Sequence, residues 1–106
     1  MRHMAAQQLH SWLASDGRPV ELLDVREPWE FNVCRLEGSR LIPLSQLPTR
    51  LGELDPDRTT VVICHHGVRS LRAAAYLESF GFGDVVNLSG GIDAWARTVA
   101  RDMAVY

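Results

Sequence analysis

The chain has 106 residues, of which 46% are hydrophobic and 23% charged, and its formal net charge at pH 7 is −2. This length and composition predict one globular domain over residues 1–106 with a single buried core. No basic run indicates a nucleic-acid surface, and no apolar stretch has the length of a membrane span. All 11 cationic side chains are arginines, which excludes a Walker-type phosphate loop and a Schiff-base lysine.

The N-terminus and the cysteines bear on the compartment in which the protein works. The first ten residues contain no apolar run of signal-peptide length. The chain has two cysteines, Cys34 and Cys64. In a reducing compartment such a pair is more often two free thiols than a structural disulfide. We therefore expect a cytoplasmic protein that binds neither membranes nor nucleic acid.

In the first half of the chain, short apolar segments are separated by turn residues. The spacing predicts a helix over residues 5–14 and a turn at 16–19. A buried strand is expected over 20–25, followed by a short helix at 27–33 that tolerates a proline near its start. Residues 41–44 are expected to form another short strand, with its proline at the end.

The second half contains the clearest helix and the clearest strand. A helix over residues 45–54, capped by its first serine, precedes the β-branched strand 59–64. Helical spacing is strongest at 70–80, where a glycine follows as the C-terminal cap. A last strand at 85–88 and a helix at 92–100 complete the chain.

Strands alternate with helices along the whole chain, and the strands are short and apolar. This pattern is typical of a parallel sheet that is covered on both faces. We expect an α/β fold with an open parallel sheet of four to five short strands, flanked by helices on both faces. In such sheets, ligands bind beyond the carboxyl ends of the strands.

The segment C-H-H-G-V-R-S lies between the strongest strand and the strongest helix. It begins with Cys64 at the predicted strand end and finishes with Ser70 at the predicted helix start. Unpaired N–H groups and the helix dipole favour a thiolate there. Gly67 lets the backbone curl so that N–H groups point inward, and Arg69 provides a fork-shaped cation for an oxyanion. The alternative is a buried structural cysteine, against which the other three residues weigh.

This loop resembles the active-site loop of the rhodanese family, and three other segments match that family in order. L-L-D-V-R-E-P-W-E-F at residues 22–31 resembles its early strand and helix. C-R-L-E-G-S-R-L-I-P-L at 34–44 resembles its glycine turn and short strand, and L-S-G-G-I-D-A-W at 88–95 resembles its closing motif. The four segments are similar to one module of the single-domain kind.

The resemblance implies a thiosulfate sulfurtransferase that requires no metal and no cofactor. The Cys64 thiolate would attack the outer sulfur of thiosulfate or a similar donor, and cyanide or a thiol would take the sulfur from the resulting persulfide. Arg69 would hold the sulfonate end of the donor. A protein acceptor remains possible. The loop implied to bind the anion through its N–H groups consists of His65, His66, Gly67, Val68, Arg69 and Ser70.

The sequence departs from the family pattern in two places. Arg35 stands where the family often has histidine, and the first edge strand is expected to be shortened or lost. Asp24 and Arg26 follow a strand end and could line the site as supporting residues. The favoured interpretation is that these two residues form an internal ion pair that positions the following loop. Trp29 is expected in the core or in the pocket wall.

The remaining cysteine and the side chains of the two loop histidines are interpreted as structural rather than catalytic. Cys34 could resolve an oxidised Cys64 as a disulfide, but a packed small residue is favoured. The side chains of His65 and His66 are expected to face solvent. A metal site built from these four residues is disfavoured, because adjacent ligands in one tight loop suit tetrahedral zinc poorly.

Two other functions compete with sulfur transfer. Phosphatases and arsenate reductases of related fold have five residues between cysteine and arginine, whereas four separate Cys64 from Arg69 here. The smaller loop suits a sulfur atom better than a phosphoryl group, and the loop contains no aspartate to act as an acid. A non-enzymatic binding module would usually lack the cysteine or an intact loop. A persulfide carrier that serves a protein partner shares the same Cys64 chemistry.

Overall fold

The computed structural model describes residues 1–15 and 19–106, and it has five strands in one parallel sheet. The predicted turn at 16–19 lies outside the described residues except for Pro19. The sheet order is β1-β5-β4-β2-β3. The strands are β1 Arg2–Met4, β2 Val20–Asp24, β3 Arg40–Leu41, β4 Thr59–Ile63 and β5 Val85–Leu88. The helices are α1 Ala6–Ser15, α2 Pro28–Val33, α3 Leu47–Arg50, α4 Val68–Ser79 and α5 Gly91–Thr98.

Apolar cores lie on both faces of the sheet, as expected for short strands that are buried throughout. One core joins α4 and α3 to the sheet, and the other joins α1 and α5 to it. The first includes Leu23, Leu47, Val62, Ala73, Leu77 and Val85. The second includes Leu9, Val61, Ile63, Val86, Leu88 and Ile92. The prediction of an open α/β sheet with helices on both faces is therefore confirmed.

The first edge strand is present and short. It pairs in parallel with β5, and His3 lies opposite Asn87. Strand β3 is shorter than predicted: it ends at Leu41, before Pro43. The N–H of Ile42 donates to the carbonyl of Asp24 at the end of β2, and that of Leu44 donates to the carbonyl of Val25, so the extended path continues beyond the strand.

Two predicted helices differ from those in the structure. The segment 45–54 is not one helix: 3₁₀ turns at Leu44–Gln46 and Leu51–Glu53 flank the four-residue α3. Arg50, the last residue of α3, has φ −115° and ψ 10°, which departs from α-helical geometry and ends the helix before the second turn. Helix α4 begins at Val68 rather than at residue 70, because Gly67 is its left-handed N-cap. Among the described residues, no helix is long and apolar enough to cross a membrane.

Candidate active site

Cys64 directly follows β4, the middle strand of the sheet, and is 1% exposed. The backbone N–H of Gly67 donates to its Sγ atom over 3.0 Å. The thiol itself donates to Ser70 Oγ, with 3.4 Å between sulfur and oxygen. The sulfur is therefore held at the carboxyl end of the sheet, where α/β folds place their ligands.

The start of α4 lies beside this sulfur and presents backbone N–H groups to it. Gly67 turns the chain with φ +98°, and a Cβ atom there would come within 3.2 Å of the Gly90 nitrogen. Val68, Arg69 and Ser70 form the first turn of the helix, and N–H groups in a first turn have no partner within the helix. Ser70 was predicted to start the helix, whereas the structure places it inside the first turn.

The N-terminus of α5 holds the loop from the other side. Ile92 N–H donates to the Cys64 carbonyl at 2.8 Å, and Asp93 N–H donates to the His65 carbonyl at 3.1 Å. A Cβ atom at Gly91 would overlap both carbonyl groups, and the residue has φ +61°. The G-G pair that was predicted only to lead into a helix is therefore the anchor of the Cys64 loop.

Arg69 is bound to a carboxylate that the sequence analysis did not identify. Its two terminal nitrogens donate to the two oxygens of Glu30 over 2.6 and 2.7 Å. This pairing raises the pKa of Arg69. The Arg69 guanidinium is therefore not the free cation that was expected to hold the donor's sulfonate. Glu30 belongs to the capping box of α2, and that signal in the sequence could have pointed to it.

The Glu30–Arg69 pair predicts a stability contribution that depends on pH. The hydrogen bonds from Arg69 lower the Glu30 pKa from 4.5 to about 2. A carboxyl group with a lowered pKa in the folded state stabilises that state above its unfolded value and loses the contribution as pH falls towards the folded value. Wild type should therefore be more stable than Glu30→Gln at neutral pH, and the two should converge as pH falls from about 5 to 2. Urea unfolding at a series of pH values tests this, and a pH-independent difference would contradict it.

Asp24 and Arg26 form a fully buried ion pair, 2.6 Å between Arg26 Nη2 and Asp24 Oδ2. The guanidinium also donates to the backbone carbonyls of Glu30 and Cys34 and to the Tyr106 hydroxyl. The structure thus places the pair beneath α2 and the turn that follows it, as internal support rather than as an exposed part of the site.

The two loop histidines have different surroundings. His66 is exposed on 63% of its side chain, as predicted. His65 is not solvent-facing: its ring stacks on Tyr106 with 3.9 Å between centroids and on His66 with 4.0 Å. Its Nε2 atom is buried and has no hydrogen-bond partner among the described residues. Burial, together with the neighbouring His66, lowers the His65 pKa.

Tyr106 is a second residue that the sequence analysis missed. Its hydroxyl donates to Glu30 Oε2 over 2.8 Å and accepts from Arg26 Nη1 over 2.9 Å. Burial, and then the bond to Glu30, raise its pKa to about 12. Trp29 packs edge-on against its ring and is 59% exposed, so it lies outside the core, and a place in the pocket wall stays a prediction. No local signal in the sequence links residue 106 to the Cys64 loop.

The cysteines lie in different cores. Cys34 packs in the core shared with α1 and α5, whereas Cys64 packs in the core shared with α4. Both are free thiols. His65, His66 and Asp93 offer ligand atoms within 4.8 Å of one another. Both carboxylate oxygens of Asp93 already bind Arg97, so a metal there would have to displace that arginine.

Comparison with known proteins gives one consistent result. The model of the rhodanese-like domain family matches residues 5–98. The solved structure of a rhodanese-like domain protein from Staphylococcus aureus superimposes with a TM-score of 0.84 and 28% identity, covering 100% of this chain and 99% of that one.

Two curated relatives are named as sulfurtransferases. The thiosulfate sulfurtransferase GlpE of Shewanella oneidensis is 35% identical over 89% of this chain and 91% of its own length. The probable adenylyltransferase/sulfurtransferase MoeZ of Mycobacterium tuberculosis is 43% identical over 94% of this chain, which spans only 26% of that larger protein. These relatives support sulfurtransferase activity in general. On the family match, the fold and the ordered motifs, the chain belongs to the rhodanese-like domain family.

Proposed function

We propose that the protein moves sulfane sulfur from thiosulfate, or a similar donor, to cyanide or a thiol through a persulfide on Cys64. The observation that carries this proposal is the position of the Cys64 sulfur. It accepts a backbone N–H from Gly67 and lies at the start of α4, where further N–H groups are free of helical bonds. An anionic sulfur is stabilised by donors arranged in this way.

The reaction proceeds in two half-reactions. The Cys64 thiolate attacks the outer sulfur of thiosulfate, a new S–S bond forms, and sulfite leaves with the electron pair of the old one. The acceptor then attacks the outer sulfur of the persulfide, and the Cys64 thiolate is regenerated. No net oxidant or reductant is consumed, and none of the steps requires a metal.

The arginine geometry favours sulfur over phosphoryl or arsenate substrates. A phosphatase of this type needs an arginine that faces the transferred oxyanion, but both terminal nitrogens of Arg69 are bonded to Glu30. The donor's sulfonate would instead lie against the free N–H groups at the start of α4. Arg69 then contributes its positive charge near Cys64 without direct contact.

A protein acceptor is the second candidate, and two observations favour it. The similarity to MoeZ is to a larger adenylyltransferase/sulfurtransferase. Large apolar side chains are also exposed where α2 and α4 begin: Trp29 at 59% and Val68 at 69%. These two side chains would offer apolar contacts to a partner protein. A cytoplasmic location is part of this proposal, because a reducing compartment would keep the Cys64 thiol free to react.

Replacing Cys64 by serine should abolish sulfur transfer. A hydroxyl in place of the thiolate cannot form a persulfide, so we expect thiocyanate formation from thiosulfate and cyanide to fall by ~10³-fold or more. The matched control is Cys34→Ser, which should retain activity because Cys34 lies in the other core. Equal activity of Cys64→Ser and wild type would exclude the proposed mechanism, and phosphate and arsenate substrates would be tested next.

A further inference from the structure

Asn87 is a polar residue in an otherwise apolar strand. It lies within V-V-N-L of β5 and is 3% exposed. A buried amide costs free energy unless its oxygen and nitrogen are hydrogen-bonded. Its Oδ1 atom accepts a short hydrogen bond from the Ser70 hydroxyl. Its Nδ2 atom lies 3.4 Å from His3 Nδ1 on β1.

These contacts extend the site from the sulfur into the sheet. The Cys64 thiol donates to Ser70 Oγ, and Ser70 donates in turn to Asn87. Cys64, Ser70 and Asn87 are all buried, so water does not compete for these bonds. Among the described residues, the Ser70 hydroxyl has two hydrogen-bond partners, the Cys64 sulfur and the Asn87 amide.

The thiol and its reactive forms require opposite hydrogen-bond directions. A thiol donates, whereas a thiolate or an anionic persulfide only accepts. To donate to sulfur, the Ser70 hydroxyl must turn its proton away from Asn87, and its oxygen then needs a donor. A side-chain amide has both an oxygen and an NH₂ group, so Asn87 supplies that donor when the amide turns over. His3 Nδ1 faces the other end of the amide, and because it accepts or donates according to its tautomer, it would suit either orientation of Asn87.

We propose that Asn87 is a positioning residue for the reaction of Cys64. It acts through Ser70, holding the hydroxyl next to Sγ and supplying the donor that lets this hydroxyl stabilise the thiolate and the persulfide. The persulfide part of this inference rests on the proposed sulfur transfer. The thiolate part is independent of it, since any reagent that reacts with the thiolate reports it.

The test is the rate of Cys64 alkylation by iodoacetamide as a function of pH, measured in a Cys34→Ser background so that one thiol reacts. Asn87→Ala, Ser70→Ala and the double variant form a cycle. Other charged and titratable groups around the loop are the same in every variant. These groups are His3 beside Asn87, His65 with Tyr106, His66, Arg69 with Glu30, Asp93 with Arg97, and Asp24 with Arg26.

We expect each single variant to react about 10-fold more slowly near neutral pH, the effect of losing a hydrogen bond to a charged group. The midpoint of the pH–rate profile should rise. The double variant should be no slower than Ser70→Ala, because Asn87 acts only through Ser70. Val86→Ala is the matched control: it creates a buried cavity in the same strand, on the other face of the sheet, and should leave the profile unchanged.

Two results would overturn the inference. One is a wild-type profile for Asn87→Ala; the other is an Asn87→Ala effect that is as large without the Ser70 hydroxyl as with it. If Asn87→Ala does not fold, Asn87→Leu keeps a similar volume and adds no charge but removes the NH₂ donor, and a wild-type profile for it would have the same meaning. Failure of wild type to take up sulfur would contradict the proposed function. The alkylation rates of the four proteins in the double-mutant cycle would still test the role of Asn87.

Discussion

Gly91→Ala is expected to lower the free energy of unfolding by about 2–5 kcal/mol and to disrupt the Cys64 loop. Two costs add at this position. Alanine is strained at φ +61°, and its Cβ atom would overlap the carbonyl groups of Cys64 and His65. Those carbonyls accept the bonds that join the loop to α5. Relief of the overlap must therefore move the residue that we propose as the nucleophile.

Chemical denaturation and the thiocyanate assay together measure this effect. Gly81→Ala is the matched control, because Gly81 has φ +88° but open space around the position of a Cβ atom. Gly81→Ala should lose only the free energy that a positive φ costs alanine, about 1–2 kcal/mol, and should retain sulfur transfer. Equal losses of stability in the two variants, with activity kept in both, would contradict the proposed contact between α5 and the loop.

Asp24→Asn should lower the free energy of unfolding nearly as much as Gly91→Ala, although it replaces only one heavy atom. The substitution removes the countercharge of Arg26 while that guanidinium stays fully buried. Breaking a buried ion pair from one side costs about 3–5 kcal/mol, since an uncompensated charge remains. The substitution should also displace residues of the candidate active site, because Arg26 donates hydrogen bonds to the carbonyls of Glu30 and Cys34.

The control for this variant is an exposed ion pair. Glu53→Gln breaks a surface contact with Arg50, and such contacts contribute little to stability. We expect its urea midpoint to stay close to that of wild type, while that of Asp24→Asn falls sharply. A midpoint for Asp24→Asn within error of the Glu53→Gln value would show that the buried pair does not support the fold.

Local signals in the sequence were sufficient for the architecture. The β-branched run before Cys64 and the helical spacing after Ser70 predicted β4 and α4 to within two residues at each end. The order of strands and helices predicted a parallel sheet, and the Cys64 loop was placed at its carboxyl edge. These features depend on periodicity and on turn residues, both of which are visible in short segments.

The contacts that complete the site join distant parts of the chain. Glu30 pairs with Arg69 across 39 residues, and Tyr106 reaches Glu30 across 76. Such pairs have no local pattern. Asn87 resembles an ordinary strand residue until its neighbour on α4 is known. Gly91 resembles a helix start until the carbonyls beneath it are placed. Tertiary packing, rather than propensity, determines all four roles.

The most direct test of sulfur transfer through Cys64 is the intact mass of the protein after incubation with thiosulfate alone, followed by peptide mapping. We predict a gain of one sulfur atom per chain, carried by the peptide that contains Cys64 and released as thiocyanate when cyanide is added. The gain should be lost in Cys64→Ser and kept in Cys34→Ser. No gain in wild type, or a gain on the Cys34 peptide, would contradict the assignment of Cys64 as the sulfur carrier.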